Sequence, residues 1–241
     1  MATSDEEAIL AQVRTNPYYS VRFLPSSPMD LSFERTVELV QTNAVRLRGW
    51  DFPHYDRKTV LRDQQYLGVQ VNWRGHVEMW RMFRSGQFVY FGAPWDLAMD
   101  LQQRLLREFQ IVMVPSPSRR ESVPGVLSFI GMIYSVTEFY LFAARLAKAL
   151  ETPGLQFEVG LKNVENWALV AGEVGVPWSS FYQCRTRNVR IKEDDYDRLV
   201  NDPVGDAGAA LKEIFALFGW DNSTGAIKTW QERFMAGRFA F

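Results

Sequence analysis

Between Gly125 and Ala144 runs an almost wholly apolar stretch of about 20 residues, long enough for a helix to cross a bilayer. Thr137 and Glu138 interrupt it and Arg145 closes it. A carboxylate near the middle of a span costs a few kcal/mol on insertion scales. The segment therefore reads as a central helix, about Val126 to Leu150, buried on nearly all sides and stopped by Pro153-Gly154. A carboxylate there must be paired, protonated or lining a cavity. Arg145 lies two turns further on, too far to pair with it, so a packed arginine such as Arg46 or Arg48 is the better candidate. Glu138 is then either half of a structural ion pair or the floor of a ligand pocket.

A helix buried on all sides needs layers around it, and the rest of the chain supplies them. Tyr18 to Leu24, Val45 to Phe52 and Tyr66 to Trp73 are rich in aromatic and β-branched residues and read as strands. His76 to Phe83 and Phe88 to Ala93 flank Arg84-Ser85-Gly86-Gln87, a hairpin signal in which glycine accepts positive φ. Leu155 to Leu161, Trp167 to Ala171 and Trp178 to Ile191, with Cys184 inside the last, read as three more strands. Helical patterns fall at Ser4 to Arg14, from a cap at Asp30 or Ser32 to Asn43, at Trp95 to Gln110, Glu193 to Val200, Val204 to Phe218 and Thr224 to Phe239. Asp56 to Gln65 reads as a polar connector, and the proline- and serine-rich Pro115 to Pro124 as an exposed loop.

Strands grouped in hairpins, without regular β-α alternation, predict an α+β fold. The expected sheet is mixed or mainly antiparallel, packed on the long buried helix and on C-terminal helices. A single composite domain over residues 1–241 is expected, with Pro115 to Pro124 as the one place for a subdivision. The N-terminus carries Asp5, Glu6 and Glu7 where a signal peptide would carry lysine or arginine. One cysteine excludes an internal disulfide or multi-cysteine zinc site, two histidines exclude a His-rich metal centre, and a cytoplasmic location is expected. The net charge of -1 argues against a dedicated nucleic-acid binder.

No glycine-rich phosphate loop, metalloprotease helix, nucleophile elbow or calcium loop occurs, so no cofactor or metal is expected. The densest polar cluster is Arg46, Arg48, Asp51, His54, Asp56 and Arg57. On a strand, Arg46 and Arg48 would project from one face about 7 Å apart. That pair can grip a phosphate or carboxylate with forked guanidinium groups, with Trp50 stacking beside them. Equally, it can be a solvated face paired across to Glu78. His76 and Glu78 share a strand face at i, i+2, and His54 beside them would complete a two-histidine, one-carboxylate metal set. Cys184, among aromatics and without a base nearby in sequence, reads as buried and inert.

The segment Val45-Arg46-Leu47-Arg48-Gly49-Trp50-Asp51-Phe52-Pro53-His54 resembles the region that follows the AlbA-type domain in bacterial Schlafen-like nucleic-acid- or ATP-binding proteins. Further similarities follow in the same order: Ser85-Gly86-Gln87-Phe88, Thr137-Glu138-Phe139 with Ala143-Ala144-Arg145-Leu146-Ala147, and Phe215-Ala216-Leu217-Phe218-Gly219-Trp220. Residues 1 to 44 are too few to hold the AlbA-type domain itself, so no catalytic residue carries over. The resemblance implies a bacterial, cytoplasmic companion domain, a sensor or interaction module in a defence or regulatory setting.

The leading expectation is a non-enzymatic binding or protein-interaction module. Its surface would be Arg46, Arg48, Trp50, Asp51 and His54, and its partner a protein or a small anionic ligand. Nucleic acid is not favoured and no membrane partner is expected. The alternatives are a metal-assisted hydrolase or nuclease-like enzyme using His54, Asp56, His76 and Glu78, and a nucleic-acid accessory protein.

Overall fold

The computed structural model describes residues 4–55, 57, 59–73, 76–97, 99–113, 123–171, 181–193 and 195–238. In chain order the elements are α1 (Ser4–Arg14), β1 (Tyr18–Pro25), α2 (Phe33–Asn43), β2 (Val60–Arg62), β3 (Tyr66–Trp73), β4 (His76–Phe83) and β5 (Phe88–Gly92). A short 3₁₀ turn at Trp95–Leu97 leads into α3 (Met99–Met113). Then come β6 (Val126–Ser128), α4 (Phe129–Leu150), β7 (Leu155–Lys162), β8 (Ala168–Val170), β9 (Asn188–Glu193), α5 (Tyr196–Asn201), α6 (Pro203–Leu217) and α7 (Thr224–Met235). The fold is α+β.

Seven strands form one antiparallel sheet in the order β2-β3-β4-β5-β1-β7-β9. The β4–β5 hairpin turns where expected: Gly86 takes φ +84°, and the Phe83 amide donates to the Gln87 carbonyl at 2.8 Å. β6 and β8 form a separate parallel pair.

α4 lies in the centre. By length and composition it could cross a membrane, but 89% of its apolar window is buried inside the molecule. Its side chains meet the sheet on one side and α5, α6 and α7 on others. Fully burying each large apolar side chain, such as Ile133, Phe139 or Leu146, stabilises by about 1.5–3 kcal/mol. The helix begins later than the apolar pattern suggests, because Val126–Ser128 pairs with β8 first. Ser128 then caps α4, its Oγ accepting from the Gly131 amide at 2.9 Å and donating to the Ala171 carbonyl at 3.0 Å. Of the two α2 caps read from sequence, Ser32 makes the cap bond; Asp195 caps α5 and Asp202 caps α6, where Pro203 takes the first helical position.

Several sequence readings need correction. Asp56 to Gln65, read as a connector, contains the edge strand β2, which pairs with β3. The helix read over Trp95 to Gln110 opens as a 3₁₀ turn and becomes α-helical only at Met99. Val45 to Phe52 is not a strand of the sheet. Val45 and Phe52 exchange backbone hydrogen bonds with each other at 2.8 and 2.9 Å, so the segment closes into a loop turned at Gly49, φ +84°. The two-arginine face built on that strand disappears with it. The third late strand is also shorter than read. Gln183 makes a single bridge to Ala168, β9 begins only at Asn188, and Cys184 sits buried between them. Residues 178–180 of that reading, and 115–122 of the exposed loop, lie outside the described residues.

Candidate functional site

The strand register sets one end of the inner sheet face. Trp73 lies opposite His76 and Val71 opposite Glu78 across β3–β4. Glu78 in turn faces Gly92 on β5, and Gly92 faces Tyr19 on β1. The glycine matters. A Cβ there would stand 2.0 Å from the Tyr90 hydroxyl, so its absence lets the phenol lie across the strand and reach Glu78. From the helix side come Ser135 and Phe139, at i and i+4 on one face of α4, which also carries Glu138 at i+3. The 45–52 loop and the Trp95 turn complete the walls. Between them is a cavity of about 460 Å³, in the usual small-ligand range of roughly 300–1,000 Å³.

Its walls are aromatic. Trp50 and Trp95 lie with ring centroids 4.6 Å apart, Trp73 meets Trp95 edge-on at 6.1 Å, and the His76 imidazole stacks flat on Trp95 at 3.8 Å. Phe52 and Phe139 pack against each other deeper in.

The buried polar groups are nearly all matched. Arg48 Nε donates to Glu138 Oε1 at 3.0 Å, and Nη2 donates to Oε2, a bidentate pair sealed from solvent. Burial pushes the Glu138 carboxyl up from its ordinary range, and the guanidinium opposes this. Glu78 Oε2 accepts from the Tyr90 hydroxyl at 3.1 Å and meets His76 Nε2 at 3.3 Å. Burial, and the Glu78 charge beside it, hold the Tyr90 phenol up. Asp96, at the N-terminus of α4, accepts from the Ser128 amide at 2.9 Å. Burial raises its carboxyl to about 7, against the pull of that amide and of Arg48. His76 Nδ1 is buried with no hydrogen-bond partner among the described residues.

Of the residues singled out in sequence, Arg48, Trp50, Asp51 and His54 line the cavity. Arg46 does not. It is largely exposed and pairs with Asp51 at 3.1 Å, a surface pair of small worth. His54 is half-buried, and its carbonyl accepts from Trp80 Nε1 at 2.7 Å. His54, His76 and Glu78 all reach the cavity, yet no group of three His, Cys, Asp or Glu side chains gathers as a metal set among the described residues. Asp56 lies outside them. Cys184 is buried, and burial pushes its thiol up.

Trp73, Trp95, Tyr90 and Asp96 were missed in sequence. One signal was available for Trp73, which ends an alternating run yet stays 55% exposed at the strand tip. Trp95 and Asp96 open a segment read as helical, and nothing in that pattern marks them as site residues.

Comparison with protein-family models, with curated proteins and with solved structures finds no match for this chain.

Proposed function

We propose that the chain is a non-enzymatic ligand-binding module whose ligand enters the cavity between Trp50, Trp73 and Trp95. The observation that carries this reading is the cavity itself: aromatic walls around a buried His76–Glu78–Tyr90 cluster. Aromatic walls with a few convergent polar groups are what small-ligand sites have in common. Binding rather than turnover is favoured because His76 hydrogen-bonds to Glu78 alone among the described residues, with no hydroxyl or thiol to activate. The similarity of Val45 to His54 to the Schlafen-associated region supports a sensor role in a bacterial cytoplasmic system of defence or regulation.

A second reading has one observation in its favour. A carboxylate that orients an imidazole is how a general base is built, so His76 could serve an acid–base enzyme.

A thermal-shift screen of a broad metabolite library, repeated on Trp73→Ala, tests the first reading. Trp73 is exposed enough for its removal to leave the fold intact. The expected result is a stabilising ligand whose effect is lost in Trp73→Ala while the unliganded melting temperature stays unchanged. A ligand unaffected by Trp73→Ala, or no ligand at all, refutes the reading. Turnover of a bound compound that is lost in His76→Gln with binding retained would establish the second reading instead.

A further inference from the structure

If the cavity is a ligand site, as the preceding reading holds, its walls say which ligand it takes. The side chains with charge or directional hydrogen bonds are largely engaged with one another. Arg48 is held by Glu138, and Asp51 by Arg46. Glu78 Oε2 is taken by the Tyr90 hydroxyl and by His76 Nε2. Ser135 hydrogen-bonds to Tyr19. The aromatic rings are partly engaged as well: the Arg48 guanidinium lies over Trp50 at 5.2 Å, and His76 covers one face of Trp95. An ion that entered would shed its water and find each buried charged group on the walls already paired. The expectation of an anionic ligand rested on two free arginines on one strand face, and that face does not form.

Main chain supplies what the side chains do not. β3 pairs with β4 without a break from Tyr66 to Trp73. In an antiparallel ladder the N–H and C=O of one residue point to the same side, and the side alternates along the strand. The Tyr66 carbonyl accepts from the Asp63 amide, away from β4, at 3.0 Å. Gly68, Gln70 and Asn72 therefore turn their backbone groups the same way. β2 meets that side only as far as Val60, opposite Val69. Among the described residues no strand lies beside Asn72 there. Gln70 and Asn72 both line the cavity, yet alternation puts their side chains on the other face of the sheet. There Gln70 Nε2 meets Met79 Sδ at 4.0 Å, and Asn72 Nδ2 donates to Gln12 Oε1 of α1 at 3.3 Å. Asn72 thus borders the cavity with a backbone donor and acceptor side by side, and the Trp73 indole stands next to them on the inner face.

We propose that the cavity binds an uncharged, flat cyclic amide, whose ring N–H and carbonyl pair with the main chain of Asn72 while its apolar body lies against the tryptophans. A cyclic amide carries its donor and acceptor on one edge, which is the pattern that the strand edge complements. An extended peptide could offer the same two groups, but the edge beyond Val69 is only four residues long, which suits a single amide better than a strand.

The test titrates the full chain near neutral pH, by calorimetry, with carbostyril and three analogues of the same ring system. N-methylcarbostyril lacks the donor, quinaldate is an anion and N-methylquinolinium a cation. Saturable binding of carbostyril, at least about tenfold tighter than any of the three, is expected. In the isotope-labelled chain, NMR should show the Asn72 amide proton moving downfield as carbostyril binds. Asn72→Pro removes that N–H from an unpaired edge, where proline is tolerated, and should weaken carbostyril by about tenfold; the amide shift in the unaltered chain stands alone if that variant does not fold. Tight binding that leaves the Asn72 amide unmoved overturns the assignment to the β3 edge. The N-methyl analogue or either ion binding as tightly as carbostyril overturns the proposal and leaves the ligand-binding reading intact. So does a cavity that takes compounds from the metabolite library but not carbostyril. Equal or tighter binding of N-acetyl-phenylalanine methylamide overturns the assignment to a ring in favour of an extended peptide. A chain that binds nothing overturns both readings.

Discussion

Replacing Arg48 by methionine is expected to destabilise the protein strongly near neutral pH and much less in mild acid. Arg48 is 7% exposed and Glu138 0%, and the guanidinium makes both of its contacts to the same carboxylate. Methionine keeps the aliphatic bulk and removes the charge. Glu138 is then a buried carboxylate without a cation, a change that typically costs about 3–5 kcal/mol. The acid has one escape, which is to take up a proton. From its ordinary value of 4.5, staying protonated at about pH 7.5 spans three units, or about 4 kcal/mol. At about pH 5.5 it spans one unit, about 1.4 kcal/mol. Burial already holds Glu138 up in the intact pair, so both figures are ceilings on the carboxylate part of the loss. The sign follows from linkage: an acid raised in the folded state loses stability as pH rises. Asp96, relieved of the same guanidinium, shifts in the same direction. Urea unfolding of parent and variant at the two pH values measures the difference. Glu138→Gln is the control. It strands an arginine that keeps its proton throughout and removes an acid already held up in the parent, so its deficit should shrink, not grow, as pH rises. An Arg48→Met deficit that is the same at both pH values, or below about 0.5 kcal/mol, would refute the reasoning.

Asp96→Asn retains an acceptor for the Ser128 amide and removes a carboxyl raised from 3.8 to about 7 on folding, so it should cancel a loss of roughly 4 kcal/mol that the parent suffers between about pH 4 and 7; thermal unfolding from about pH 4 to 8 checks it, with the variant gaining on the parent up to about pH 7 and keeping a constant difference above it. Gly92→Ala should destabilise by about 1–3 kcal/mol, because its methyl group would displace the Tyr90 hydroxyl from Glu78. Adding Tyr90→Phe should recover part of that loss, and a double-mutant cycle with no coupling would count against the contact. Ser128→Ala should cost about 0.5–2 kcal/mol through loss of the α4 cap, read by chemical denaturation. Cys184 should resist thiol reagents in the native protein and react only in denaturant; rapid native labelling would contradict its burial.

Local chemistry determined a good deal of this protein before any coordinates. The apolar run interrupted by Glu138 reads as a core helix whose acid is paired, protonated or lining a cavity, and Arg48 is one of the two partners read from sequence. The Gly86 hairpin, the aromatic and β-branched composition of β1 and β3, and the Ser32 cap are rules acting over a few residues, so they can be read directly. Where the sequence misled, the deciding contact was not local. Val45 to Phe52 has strand composition, yet Gly49 turns it and its two ends pair with each other. That folding exposes Arg46 and carries Arg48 inward to an acid ninety positions away. The cavity belongs wholly to the tertiary structure. Residues from β1, β3, β4, β5, α4 and two loops converge on it, separated by up to 120 positions, as between Tyr19 and Phe139. No spacing within the chain encodes such a convergence. It arises because antiparallel register sets Trp73 beside His76 and Glu78 beside Gly92, and because α4 passes beneath that end of the sheet.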